Sequence, residues 1–169
     1  MHPPRLRHFS YVGLHRYYLT VCTDGRRPVF VSEQAVSPVL AQFRQSATAS
    51  GFAILAYCLM PDHLHLLQEA EREDAALLPS IALAKQLSGH AFSLTAGQRL
   101  WERGFYDHVL RDEDGTLAVI NYIIGNPVRA GIRRSLGEYE FCGSDKYSME
   151  EICACTEIWS PPRRMRWEP

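Results

Sequence analysis

The sequence lacks long apolar segments, a recognisable secretion signal and a strong net charge. Its longest apolar runs, such as AILAYCLM, are far shorter than the roughly 20 residues of a membrane-spanning helix. The first ten residues, MHPPRLRHFS, carry charge and proline where a signal peptide has an apolar stretch. These absences predict a cytoplasmic protein that makes no contact with a membrane.

Neither the cysteines nor the overall charge identifies a partner. The five cysteines are an odd number spread along the chain, so we expect reduced thiols rather than a disulfide framework. A zinc site formed by Cys142, Cys153 and Cys155 is the alternative, but no histidine follows to complete four ligands. The formal net charge of −1 gives no overall attraction for nucleic acid, which leaves local basic clusters as the electrostatic signal.

Hydrophobic periodicity and turn residues predict a single α+β domain. The predicted strands cover residues 16–23, 52–60, 63–69 and 104–111, and the predicted helices cover residues 32–51, 75–97 and 112–126. This order, βαββαβα, matches the ferredoxin-like arrangement, in which a four-stranded antiparallel sheet carries two helices on one face. An additional helix follows the last strand. We assign residues 1–135 to the domain and expect residues 136–169 to form an irregular extension with a basic tail.

Two histidines interrupt an otherwise apolar strand in the stretch YCLMPDHLHLL, residues 57–67. Because alternate residues of a strand point to the same face, His63 and His65 project together, while Leu64 and Leu66 face the core on the other side. Asp62 should face away from the histidines by the same alternation. Two imidazoles side by side suit a divalent cation if a third ligand arrives from elsewhere. A histidine pair that merely covers a half-exposed strand is the other interpretation, and spacing alone does not decide.

A second candidate pair lies in the stretch INYIIGNPVRAGI, residues 120–132. Tyr122 and Asn126 are four residues apart and therefore share one face of the third predicted helix. Asn126 offers a carbonyl oxygen as a metal ligand, and Tyr122 offers a phenol that could attack an electrophile. A tyrosine in the helix–sheet core and an asparagine at a helix end before Pro127 would satisfy the same pattern.

The two motifs together, in this order, resemble the single-tyrosine HUH endonuclease superfamily, in particular the REP-associated tyrosine transposases. The resemblance extends over about residues 14–135 and includes YYLTVCTDGRRPVF, YCLMPDHLHLL, LWERGFYDHVLR and YIIGNPVRAGI. It implies that His63, His65 and Asn126 bind Mg²⁺ or Mn²⁺ and that Tyr122 is the nucleophile. Related enzymes often have glutamine at the third ligand position, so an asparagine requires the helix to lie closer to the sheet.

The resemblance also implies a reaction and a partner. The enzyme would nick and rejoin single-stranded DNA at hairpin-forming repeats through a 5′-phosphotyrosine intermediate, working as a monomer, with a homodimer as the alternative. We expect aromatic side chains of an open sheet face to stack bases, and the candidates are Tyr17, Tyr18, Tyr57, Phe105 and Tyr106. Seven arginines of the basic clusters are candidate DNA-binding residues: Arg26, Arg27, Arg111, Arg129, Arg133, Arg163 and Arg164.

Two other functions fit parts of the pattern. A non-enzymatic, ferredoxin-like nucleic-acid-binding module has the same order of elements and needs no metal, but it gives the two histidines and Asn126 no role. A hydrolase that uses a metal-bound water would explain the histidines and leave Tyr122 without a function. A covalent bond between protein and cleaved DNA separates both from the transposase mechanism.

Overall fold

The computed structural model describes residues 8–111, 114–155 and 157–161. The described strands are β1 (Arg16–Cys22), β2 (Phe52–Met60), β3 (His63–Ala70), β4 (Tyr106–Val109) and β5 (Cys142–Gly143). The described helices are α1 (Glu33–Ala49), α2 (Leu77–Ala96), α3 (Thr116–Ile124), α4 (Asn126–Arg129) and α5 (Met149–Ala154), and a 3₁₀ turn covers Asp24–Arg26. The predicted α+β class and the predicted order of the first seven helices and strands are confirmed.

The strands form one antiparallel sheet in the order β4-β1-β3-β2-β5. Its first four members have the ferredoxin-like order, but the expected four-stranded sheet has a fifth strand at the edge of β2. This strand, β5, and helix α5 both lie in the segment 136–169, so the expectation that this segment is irregular was wrong for residues 142–143 and 149–154. Tyr139, Phe141 and Ile152 from this segment are buried in the core. The domain boundary at residue 135 stays a prediction.

Alternation along the central strands gives the sheet two different faces. Leu64 and Leu66 of β3 are fully buried and lie beside Val21 and Leu19 of β1. The opposite face carries His65 next to Thr20. Helix α3 packs over β2 and β3 and covers this second face. The histidine pair therefore lies between the sheet and α3 rather than on an open surface.

The helix that carries the tyrosine ends earlier than predicted. Helix α3 stops at Ile124, and Asn126 begins the separate short helix α4. Pro127 has no N–H to bond the carbonyl of Ile123, and the side-chain amide of Asn126 donates to this oxygen instead, at 3.1 Å. The amide also donates to the carbonyl of Tyr122, at 3.1 Å. The Asn126 side chain is thus hydrogen-bonded to the backbone of Tyr122, although the two residues do not share one continuous helix.

None of the helices within the described residues is long and apolar enough to cross a membrane.

Candidate active site

The imidazoles of His63 and His65 face each other at the start of β3. Pro61 and Asp62 connect β2 to β3 in a tight turn, whose carbonyls accept hydrogen bonds from the backbone N–H groups of Phe30 and Thr23. The Nε2 atoms of the two histidines are 2.9 Å apart, and the ring planes are nearly perpendicular at 87°. The predicted projection of the two side chains to one face is confirmed. Their role as metal ligands stays a prediction.

Two hydroxyl groups of β1 contact the nitrogen of the His65 ring that does not face His63. The Nδ1 atom lies 2.8 Å from the Tyr18 hydroxyl and 3.2 Å from the Thr20 hydroxyl. Burial, followed by the nearby charges of His63 and Arg129, lowers the pKa of His65 well below its ordinary value, so the ring is neutral. A neutral ring that donates from Nδ1 to Tyr18 leaves the Nε2 lone pair directed at His63.

A carboxylate orients the other ring. Asp62 Oδ1 lies 2.6 Å from His63 Nδ1, and Asp62 Oδ2 lies 3.0 Å from Nε of Arg26. The expectation that Asp62 faces away was wrong, because Asp62 belongs to the turn, where strand alternation no longer applies. Burial alone would raise the pKa of the Asp62 carboxyl, but the hydrogen bond to His63 and the charges of His63 and Arg26 lower it below its ordinary value. The Asp62 carboxylate thus fixes the orientation of the His63 ring, with Nε2 turned toward His65.

The two facing nitrogens fit a divalent cation. Two lone pairs 2.9 Å apart repel unless a proton or a cation lies between them. Nitrogen ligands at right angles, each about 2.1 Å from a metal, lie about 3 Å apart, which agrees with this spacing. No group of three or more His, Cys, Asp and Glu side chains that could hold a metal exists within the described residues. A third protein ligand would therefore be of another type.

Asn126 is the candidate for that third ligand. Its amide nitrogen is occupied by the carbonyls of Tyr122 and Ile123. Because the amide is planar and its nitrogen is fixed, the Oδ1 atom points the other way, and it accepts no hydrogen bond within the described part of the chain. The oxygen is thus left available, but no contact joins Asn126 to either histidine among these residues.

The side chain of Tyr18 contacts both Tyr122 and His65 and so connects Tyr122 to the histidine pair. The Tyr122 ring packs edge-on against Tyr18 with centroids 6.2 Å apart, and Tyr18 is the residue that contacts His65 Nδ1. Trp159 packs against the other side, 5.2 Å from the Tyr122 ring and 5.3 Å from the Tyr18 ring. The guanidinium of Arg129 lies over the Tyr122 ring, 3.9 Å from its centroid.

Comparison with known proteins identifies the family to which this site belongs. The family model described as "Transposase IS200 like" matches residues 11–126, a range that contains both histidines, Tyr122 and Asn126. The chain belongs to this transposase family.

Two curated relatives and one solved structure are similar to this chain. A Haemophilus influenzae protein whose name places it among the REP-associated tyrosine transposases is 26% identical over 136 residues, which cover 74% of this chain and 76% of the relative. A second Haemophilus influenzae protein, whose name states no function, is 24% identical over 155 residues, covering 73% of this chain and 86% of the relative. The solved structure of a REP-associated tyrosine transposase bound to a REP hairpin superimposes with a TM-score of 0.70 at 21% identity, covering 83% of this chain and 82% of that chain. This last likeness supports the fold.

The arginines proposed to bind DNA differ in their surroundings. Arg26 pairs with Asp62, and Arg27 donates to the backbone of Asp24 and to Gln98. Arg133 donates to the carbonyls of Ile132 and Glu138, whereas Arg111 is exposed. Arg163 and Arg164 lie outside the described residues. The DNA-binding role of all seven arginines stays a prediction. Arg129 is the one for which the structure gives a contact with Tyr122 among the described residues.

The sheet face of the transposase is not an open stacking platform. Tyr17 and Tyr18 are fully buried and Phe105 is 8% exposed, so none of these three offers a free ring face to a base. Tyr57 and Tyr106 are half-buried, and the guanidinium of Arg44 lies over the Tyr57 ring. Helix α3 and Trp159 cover the face that carries Tyr18, and Tyr17 packs against Tyr11 and Phe52 on the opposite face. The sequence analysis also missed Tyr18 and Thr20 as partners of His65 and Trp159 as a partner of Tyr122. The two hydroxyl side chains at the alternate positions 18 and 20 of β1 were the available signal for the first two.

Proposed function

We propose that this transposase is a metal-dependent single-stranded DNA endonuclease and strand transferase that acts on hairpin-forming repeats through a 5′-phosphotyrosine at Tyr122. The observation that carries the proposal is the chain of contacts from the facing Nε2 atoms through His65 and Tyr18 to the Tyr122 ring. This chain brings a cation-binding pair and a nucleophile to one face of the sheet. Neither the binding module nor the water-based hydrolase has a use for that combination.

The residues that would hold Mg²⁺ or Mn²⁺ are His63, His65 and, through its free Oδ1, Asn126. When bound, the cation supplies Lewis-acid stabilisation of the charge on the non-bridging oxygens of the scissile phosphate. Imidazole nitrogens favour Mn²⁺ more than Mg²⁺, which prefers oxygen ligands. We therefore expect higher activity with Mn²⁺ than with Mg²⁺.

The chemistry on the protein side belongs to Tyr122. Its phenol oxygen attacks phosphorus, the bond from Tyr122 Oη to phosphorus forms, and the bond from phosphorus to the 3′-oxygen breaks. The phenol proton passes to solvent, and the departing 3′-oxygen takes a proton from solvent, so charge and atoms balance. A 3′-hydroxyl of another strand reverses the step and releases the tyrosine. The bond energy is conserved in the adduct, and no nucleotide cofactor is required.

The proposed DNA partner is a hairpin with flanking single-stranded nucleotides. The solved relative was determined bound to a REP hairpin, and the fold of this chain matches it. A splayed strand beside a folded stem presents single phosphates to the protein, whereas a continuous duplex keeps its phosphates in a regular helix. We propose that one monomer carries the complete site, because the histidines and Tyr122 come together within a single chain.

A labelled hairpin tests this function directly. Mixed with Mn²⁺ and a 3′-labelled hairpin DNA, the protein should yield labelled protein on a denaturing gel, because the 3′ fragment keeps its 5′-phosphate on Tyr122. We expect at least a tenfold preference over a shuffled strand of equal composition that cannot pair. Cut DNA without labelled protein would indicate a hydrolase. Bound but intact DNA would indicate a binding module, and either result would overturn the proposal.

Asp62 provides a separate prediction. Asp62→Asn removes the ionised acceptor of the His63 Nδ1 proton and the partner of Arg26, so His63 loses its fixed tautomer. We expect Mn²⁺ to bind 10–100-fold more weakly, as is usual for loss of a carboxylate behind a metal-bound histidine. Titration calorimetry measures this affinity. Asp74→Asn, which alters an exposed pair with Arg72, is the matched control and should bind Mn²⁺ normally. Equal affinity of the Asp62 variant and this control would contradict the orienting role.

A further inference from the structure

Arg129 is folded back over the nucleophile. It follows Tyr122 by two turns of chain, at the end of α4, and one of its guanidinium nitrogens, Nη2, donates to the carbonyl oxygen of Tyr122. The guanidinium carbon lies 3.9 Å from the centroid of the Tyr122 ring. A guanidinium at this distance from an aromatic face is attracted to the ring and holds it in place. The side chain is exposed to solvent on its outer side, so a ligand can reach it.

The backbone makes room for this arrangement at Gly125. A methyl group placed on Gly125 would lie 2.7 Å from the Nη1 atom of Arg129 and 3.0 Å from the carbonyl oxygen of Asn121. Any side chain at this position would push the guanidinium away from Tyr122. The break between α3 and α4 and the glycine at this break thus both allow Arg129 to lie over Tyr122.

The guanidinium has no counter-ion within the described residues. Other arginines nearby are paired, as Arg26 is with Asp62 and Arg44 is with Asp145. Loss of hydration lowers the pKa of Arg129, against smaller opposing effects of Tyr122 and Tyr18, and a guanidinium nevertheless remains charged at neutral pH. A charged fork that is partly dehydrated and lacks a carboxylate is suited to a phosphate, which it binds with two parallel hydrogen bonds.

We propose that Arg129 is a catalytic residue that binds the phosphoryl group as this group passes to Tyr122. This inference rests on the proposed function and extends it, because Arg129 acts on the reacting phosphate rather than on the DNA backbone elsewhere. The guanidinium hydrogen-bonds the non-bridging oxygens, which carry more negative charge in the transition state than in the bound substrate. Arg129 itself forms and breaks no covalent bond and exchanges no proton. It stabilises the same oxygens in the reverse step.

The test compares rate with affinity in the full-length protein. Arg129→Met keeps the unbranched stem of the side chain and removes the charged guanidinium, and we expect adduct formation in a single turnover to fall 10²–10³-fold. The DNA concentration that gives half the maximal rate should change less than threefold. Arg129→Lys, which keeps the charge and loses the planar fork, should fall between Arg129→Met and the wild type. Arg72→Met, an exposed arginine near the far end of β3, is the matched control and should react at the wild-type rate.

Chemical rescue keeps the test independent of folding. Guanidinium ions should restore adduct formation by Arg129→Ala in a saturable manner, while urea, which has the same shape and no charge, should not. Gly125→Ala should lower the rate in the same direction, since it displaces the guanidinium.

Adduct formation by the wild-type protein tests the proposed function, and its rate in Arg129→Met tests the role of Arg129. If the wild-type protein forms no adduct, the proposed function is wrong. If the wild type forms the adduct and Arg129→Met forms it equally fast, only the role of Arg129 is wrong. A loss in Arg129→Met that comes entirely from weaker DNA binding, or a loss in Arg129→Ala that guanidinium does not rescue, would also overturn that role.

Discussion

Tyr122→Phe should give neither covalent adduct nor cleaved DNA. The substitution removes one oxygen atom and keeps the ring that packs against Tyr18 and Trp159. Removal of a nucleophile that no other group replaces lowers the rate by about 10³-fold or more. The hydroxyl hydrogen-bonds the exposed Arg129 side chain, so its loss should change the free energy of unfolding by only about 1 kcal/mol. Mn²⁺ and hairpin DNA should bind as they do to the wild type.

The control for this variant is a second tyrosine outside the site. Tyr147 lies between β5 and α5, and Tyr147→Phe should cleave at the wild-type rate. Cleavage rates are measured on labelled hairpin DNA, and affinities on the same DNA with Ca²⁺ in place of Mn²⁺. Cleavage by Tyr122→Phe at a wild-type rate would rule out the phosphotyrosine mechanism, whatever else the fold supports.

His63→Ala and His65→Ala should each abolish cleavage in Mn²⁺ and in Mg²⁺. Either substitution leaves a single imidazole, and one nitrogen cannot hold the cation in place of a facing pair. The two variants should differ in stability. His65 is 4% exposed and is a partner of the fully buried Tyr18, so its removal takes a buried hydrogen bond from that hydroxyl, leaves a cavity and should cost about 1–3 kcal/mol. His63 lies nearer the turn, and its removal should cost less.

Thermal unfolding and cleavage assays separate the two effects. For a chain of this length each kcal/mol lowers the melting temperature by about 2–4 °C, so His65→Ala should melt several degrees below His63→Ala. His90→Ala, an exposed histidine on α2, controls for the substitution itself and should match the wild type in both assays. Full cleavage by either variant in the presence of a chelator would contradict the metal hypothesis.

The sequence was informative where a regular period controls the geometry. Alternation along β3 correctly placed the two histidines on one face, because both lie inside a strand with fixed pairing to β1. The same rule failed at Asp62, one residue before the strand, where the turn directs the carboxylate back to His63. β5 has only two residues, too few for any periodic signal, and it forms because β2 offers an unpaired edge.

The segment that carries Tyr122 departs from the sequence prediction for a different reason. A single helix from residue 112 to 126 was a sound expectation from apolar spacing, yet the chain breaks at Gly125, and Asn126 bonds the carbonyl that Pro127 leaves free. The contacts of Tyr122 with Trp159 and of Tyr18 with His65 join residues far apart in sequence, and no local pattern predicts such pairs. The proposed site residues could therefore be found from the sequence. The residues that contact them became apparent only from the folded structure.

The most direct measurement is mass spectrometry of the protein–DNA adduct after digestion with trypsin and nuclease. Cleavage after Arg111 and Arg129 releases residues 112–129, DEDGTLAVINYIIGNPVR, in which Tyr122 is the only tyrosine. The account predicts that this peptide carries a nucleotide joined through its 5′-phosphate to Tyr122. A nucleotide on any other residue, or cleaved DNA with this peptide unmodified throughout the reaction, would contradict the central claim.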